Sequence, residues 1–192
     1  MTRLEAIDKL CESYSVYFDV ERFEENEDLL AATCFLYVHS EKYVLVKAAK
    51  LWEADSNEYV YIFNVPHLTK DVFTKCRDYA HKDGMSRIEP KPGHMCSYIT
   101  ALFICDTCDP DAVRALKRTR IYKSFRLSYY GWMDFHTGLI ELQTGKTAAN
   151  GNLLHKCILL RLCNSKKSMK QLGFYSEIPN PGGKKRRYVA NL

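Results

Sequence analysis

No apolar run in these 192 residues approaches the roughly 20 needed to cross a bilayer. The first ten, Met1-Thr-Arg-Leu-Glu-Ala-Ile-Asp-Lys-Leu10, carry a charge every few positions, so the apolar centre of a secretory signal is missing. These two absences predict a soluble, cytoplasmic protein without a membrane partner. G-x-S-x-G, H-E-x-x-H and G-x-G-x-x-G are absent too, which removes the signatures of the hydrolase elbow, the zinc-protease helix and the dinucleotide loop. Gly145-Lys-Thr147 has the end of a phosphate-binding loop, but Ile140 stands where that loop needs its first glycine. It reads as a turn.

Acidic residues are scarce in one half only. Residues 112–192 hold 3 Asp/Glu against 16 Lys/Arg, whereas residues 1–111 hold 20 against 12. The halves therefore carry +13 and −8, which sum to the net +5 of the chain. A basic surface attracts polyanions or an acidic surface of its own kind.

Disorder is excluded by 46% apolar residues, and the length suits one α+β domain better than two. Eight cysteines in a chain with no sign of secretion read as reduced thiols. Cys11, Cys34, Cys76, Cys157 and Cys163 fall in apolar periodic segments, where a thiol packs as a small hydrophobe.

Thr2 and Glu5 form a capping box ahead of Leu4, Ile7, Cys11 and Tyr14, which predicts a helix over about 3–17. The acidic stretch from Glu21 to Asp28 reads as a solvated connection. Three β-rich runs follow over about 31–39, 43–52 and 57–64, separated by the polar segments 39–42 and 54–57. Pro66 ends the third. Thr69 caps a helix to about 82, with Val72, Phe73, Cys76 and Tyr79 inward and Gly84 as its stop. After a loop over 85–93, Tyr98–Cys105 is apolar enough for a strand covered on both faces.

Asp109-Pro110 then starts a helix to about 119. A long hairpin is predicted over 121–133 and 138–144, turning near His136-Thr-Gly138. Asn150 or Asn152 caps a last helix to about 163. The fold class is α+β: a mixed sheet of an antiparallel three-strand meander, a crossover strand and a long hairpin, with flanking helices in the order α-βββ-α-β-α-ββ-α. Residues 1–164 form the domain, and 165–192 a basic, Pro/Gly-rich, partly mobile tail.

Alternation over 118–132 places Arg118, Arg120, Tyr122, Arg126 and Tyr130 on one strand face, and Phe125, Leu127, Tyr129 and Met133 on the core face. Guanidinium groups pair with phosphate, and rings between them stack bases. With Lys184, Lys185, Arg186 and Arg187 of the tail, these residues are the candidate site for nucleic acid or another polyanion. The plainer reading is a soluble edge strand. A third reading joins the acidic and basic halves in a homo-oligomer or protein contact.

Enzyme chemistry is weaker. Cys105-x-x-Cys108 between a strand and a helix has thioredoxin-like placement, but Asp106, Asp109 and Asp111 surround it and disfavour a thiolate. His94 and Cys96 lie a strand length away, so no metal site is predicted, and no cofactor. Asp134 and His136 share a strand face as an acid/base pair beside a turn, where solvation is the simpler role. No residue is taken as catalytic.

The α-βββ-α-β order resembles the core of the PD-(D/E)xK nucleases. The resemblance implies a metal-binding acid on the second strand and an acid-x-lysine on the third. Here the second strand offers Lys47 and Lys50 with no acid before Glu53, and the only Glu-x-Lys, Glu89-Pro-Lys91, lies in a loop. That leaves a nuclease-like or inactive relative as the remaining alternative. Tyr43-Val-Leu-Val-Lys47, His94-Met95, Lys123-Ser-Phe125 and Gly131-Trp-Met-Asp134 look like an uncharacterised family of bacterial, mostly clostridial, soluble proteins. This resemblance spans about residues 1–160 and assigns no role to any of them.

Overall fold

Thr2 accepts the Glu5 backbone N–H (3.2 Å) while the Glu5 carboxylate accepts that of Thr2 (3.1 Å). This reciprocal cap starts α1 (Arg3–Tyr14), which buries Ala6, Ile7, Leu10, Cys11 and Tyr14. Leu4, predicted on that face, is exposed on the helix flank. The computed structural model describes residues 1–23, 29–44, 46–150, 175–178 and 187–190.

Three antiparallel strands follow, β1 (Asp19–Arg22), β2 (Leu30–Val44) and β3 (Val46–Leu68). An antiparallel three-strand unit is present, but β1 is not among the predicted strands, and the predicted strand over 43–52 is divided between β2 and β3. Glu21 and Arg22, read as solvated connection, pair with Thr33 and Ala32. Both predicted turns are paired strand, with His39 opposite Asp55 and Tyr37 opposite Asn57. Polarity misled here, because His39 Nδ1 meets the Asp55 carboxylate at 2.5 Å across the ladder, a cross-strand partnership rather than a solvated bend.

Pro66 does not stop β3. Beyond Phe63, which pairs with Leu30 at the start of β2, the proline needs no donor toward that side. Thr69 caps α2 (Lys70–Arg87), accepting the Val72 N–H at 3.3 Å. Gly84 lies within this helix instead of ending it, because a Cβ there would sit 2.8 Å from the Ile99 side chain. It is a packing glycine. Tyr79, predicted inward, is exposed.

β4 (His94–Cys108) runs parallel to β3 on one side and to β6 (Trp132–Glu141) on the other. Each parallel step is crossed by a helix, first α2 and then α3 (Pro110–Arg118). The sheet runs β5-β6-β4-β3-β2-β9-β8, where β5 is Tyr122–Ser124, β8 is Tyr175–Ile178 and β9 is Arg187–Ala190. β1 adds to β2, and β7 (Lys146–Ala149) to β6. The tail segments 175–178 and 187–190 thus lie in strands, β9 beside Tyr37 and Val38.

Residue parity separates two cores. Even positions Val60, Ile62, Leu102, Ile104 and Ile140 pack with Cys34 and Leu36 against α1. Odd positions Tyr61, Phe63, Ile99, Phe103, Met133 and Phe135 pack against α2 and α3, where Phe73, Cys76, Ala112 and Leu116 meet them. β4 is covered on both faces, as its continuous apolar run predicts.

The hairpin needs the largest correction. The turn lies at 125–131, and His136-Thr-Gly138 is central β6, paired with Thr100, Ala101 and Leu102. Glycine there is strand, not punctuation. The last predicted helix lies outside the described residues, apart from Asn150. That buried amide donates to the Thr119 (3.0 Å) and Phe135 (3.1 Å) carbonyls and accepts the Thr137 N–H (2.7 Å).

Candidate nucleic-acid interface

Residues 112–133 contain Arg114, Lys117, Arg118, Arg120, Lys123 and Arg126 and no carboxylate. α3 delivers the first three. Its C-terminus leaves carbonyls without helical partners, and Arg120 donates to those of Lys117 (3.1 Å) and Thr119 (2.8 Å). Arg120 therefore secures the helix end while remaining exposed.

β5 then carries Tyr122 and Lys123 outward along the edge of β6. Phe125 closes the strand by burying its ring in the α2–α3 core. Its N–H donates to the Gly131 carbonyl (2.9 Å), and its own carbonyl accepts from Tyr130 N–H (3.1 Å). A five-residue tip is thus pinched at its base.

Within the tip Arg126, Leu127 and Ser128 have φ of 48°, 53° and 67°. Three consecutive left-handed residues with side chains are unfavourable by about 1–2 kcal/mol each. They persist because the base is fixed. The buried His94 ring donates from Nδ1 to the Tyr130 carbonyl (2.7 Å), and its Nε2 lies 2.8 Å from the Ser97 hydroxyl. Gly131, at φ 73°, allows the strand crossing, since a Cβ would stand 2.3 Å from the Met95 carbonyl oxygen.

The tip presents Leu127 at 98% exposure and Tyr129 at 80%, with Tyr122 at 61% on β5. Arg126 lies 4.9 Å from the Tyr130 ring centre, and Tyr129 leans on Tyr130 at 5.4 Å. None of Lys117, Arg118, Arg120, Lys123 and Arg126 forms an ion pair with a described residue, whereas Arg114 is paired with Asp111. Lys123 also acts on His81, whose value is lowered by burial first and by this positive charge among others.

The predicted residues Arg118, Arg120, Tyr122, Arg126 and Tyr130 follow one another along the α3 end, β5 and the tip rather than along a continuous strand face. Tyr122, opposite Asp134, points to the α1 face, while Lys123, opposite Met133, points to the α2/α3 face. Leu127 and Tyr129 are outward, not core, because the left-handed tip ends the alternation. Gly131 is the one letter of the segment that could have marked that turn, and the strand reading passes over it. Arg187 is not part of the lobe. It starts β9, five strand spacings from β5, or about 24 Å. Lys184, Lys185 and Arg186 lie outside the described residues.

The other constellations have structural partners. Cys108 Sγ lies 3.5 Å from the Glu141 carboxylate, and burial pushes the Cys105 thiol up to about 12 and the Cys108 thiol to about 11. Such thiols are protonated at neutral pH and poor nucleophiles. Among the described residues no group of three His, Cys, Asp or Glu side chains is placed to hold a metal. His136 is buried, stacked on Tyr98 at 5.4 Å and 3.3 Å from Asp134. The nuclease-like element order is present, but Asp55 and Glu58 fall on opposite faces of β3.

Fold and lobe together define a two-faced α+β sheet protein with a basic, aromatic edge. A family model described as Domain of unknown function (DUF8052) matches residues 2–157, and the chain belongs to that family. No curated protein and no solved structure matches it. No described helix is long and apolar enough to cross a membrane.

Proposed function

We propose that this protein is a binding protein, not an enzyme, and that it contacts a polyanion, nucleic acid first, through the lobe formed by the end of α3, β5 and the 125–131 tip. The observation that carries the reading is the set of cations at 117–126 without a described carboxylate partner, beside exposed rings. An edge strand that only protects itself needs charge; it does not need Leu127 and Tyr129 held out on an unfavourable backbone. A bacterial cytoplasm is the setting this reading assumes, and the six free cysteines among the described residues suit a reducing compartment.

The test is fluorescence anisotropy with a labelled oligonucleotide across a salt series. Phosphate contacts make log K fall linearly with log salt. Replacing Arg118, Lys123 and Arg126 together by alanine should flatten that slope by about 2–3, one unit for each lost contact. No binding at low salt refutes the proposal.

A further inference from the structure

We infer that the lobe takes single-stranded nucleic acid, with unpaired bases stacked on Tyr129 and the sugar-phosphate chain held by Lys123, Arg126 and the end of α3. This rests on the polyanion reading and narrows it.

A binder of duplex backbone needs cations and hydrogen-bond donors, because the base faces of a duplex are hidden in its stack. The lobe instead spends its most exposed positions on flat or apolar surface, Tyr129 at 80%, Tyr122 at 61% and Leu127 at 98%. Cations lie beside the rings of the tip and its base, Arg126 4.9 Å from the Tyr130 ring centre and Lys123 5.7 Å from that of Phe125. That combination of rings for any base and cations for the backbone is how sequence-tolerant single-strand binders work.

Rigidity supports the same reading. The tip is tied by Tyr129 N–H to the Arg126 carbonyl (3.0 Å), Gly131 N–H to the Ser128 carbonyl (3.1 Å) and His94 to the Tyr130 carbonyl (2.7 Å). Tyr129 is held outward before any partner arrives, so little ordering remains to be done on binding. The remainder of the charge favours a polyanionic chain over a neutral surface.

The experiment compares, on the full chain, an oligothymidine, a duplex of equal length, an abasic sugar-phosphate oligomer, inorganic polyphosphate, polyglutamate and phosphatidylglycerol vesicles. Oligothymidine should bind about tenfold or more tightly than the abasic oligomer. Tyr129→Ala should remove about tenfold for oligothymidine and leave abasic oligomer and polyphosphate unchanged. Tyr129→Phe should keep the affinity. Tyr129 is solvent-facing, and unchanged thermal melting verifies that the two variants fold.

Equal affinity for abasic and base-bearing strands, or preference for the duplex, overturns the stacking inference while leaving the polyanion reading in place. Tighter binding to vesicles or polyglutamate than to oligothymidine overturns it in favour of a lipid or acidic-protein partner. If no polyanion binds at low salt, both readings fall.

Discussion

Asp55 shows how one buried carboxylate can set an acid limit on this fold. It is only 4% exposed. Burial by itself would raise its pKa, but hydrogen bonds from His39 and Tyr37 and the nearby Lys91 ammonium (3.7 Å) outweigh that and hold it below the ordinary carboxylate range. A carboxyl with a lower value in the folded state stabilises the fold above its unfolded value of about 3.9, and that contribution disappears as pH falls through the folded value. The melting temperature should therefore drop on acidification below about pH 4. Asp55→Asn should cost about 3 kcal/mol at neutral pH and flatten the acid limb, as followed by thermal melts over a pH series. The roles of Thr2 and Thr69 were readable from neighbouring letters, because a cap is a local bond. Asp55 was not, since its partners His39 and Lys91 become neighbours only once β2, β3 and the loop before β4 have come together.

At the scale of elements, β5 and its tip depend on one glycine. Gly131 passes over the backbone of Met95, and a methyl group there would meet a carbonyl oxygen that has no room to yield. Gly131→Ala should lower stability by about 2 kcal/mol and weaken oligonucleotide binding by more than the stability loss explains, because the tip loses its base. Calorimetry and anisotropy on the same preparation separate the two effects. The order of elements was accessible from sequence because helix caps and β-rich runs are local signals. The strand ends were not. Polar letters at 39–42 and 54–57 looked like turns but pair across a ladder, and the tip took a left-handed path that bulky residues such as Leu127 seldom announce. Period-two counting therefore placed Leu127 and Tyr129 on the wrong side.

For the whole molecule, the charge split needs an outlet. Ion pairs among the described residues that use acids from 1–111 find partners in that same stretch, as in Asp8–Arg22, Asp106–Arg3 and Asp83–Arg87, with Asp111–Arg114 at the boundary. The basic half is thus not neutralised by the acidic half within these contacts. If the halves instead joined two copies, the mass in solution would fall as salt rises. The polyanion reading expects the same mass by light scattering at about 50 mM and about 500 mM salt.

The parallel arrangement of β3, β4 and β6 has a kinetic consequence. β4 and β6 find their places only after α2 and α3 have crossed the sheet, whereas β5 pairs with β6 as a local hairpin. The distant parallel pairings close late, after the local β2–β3 hairpin. The edge that carries the proposed lobe therefore joins the described sheet late, and a chain caught half-assembled lacks the His94 bond that anchors the tip.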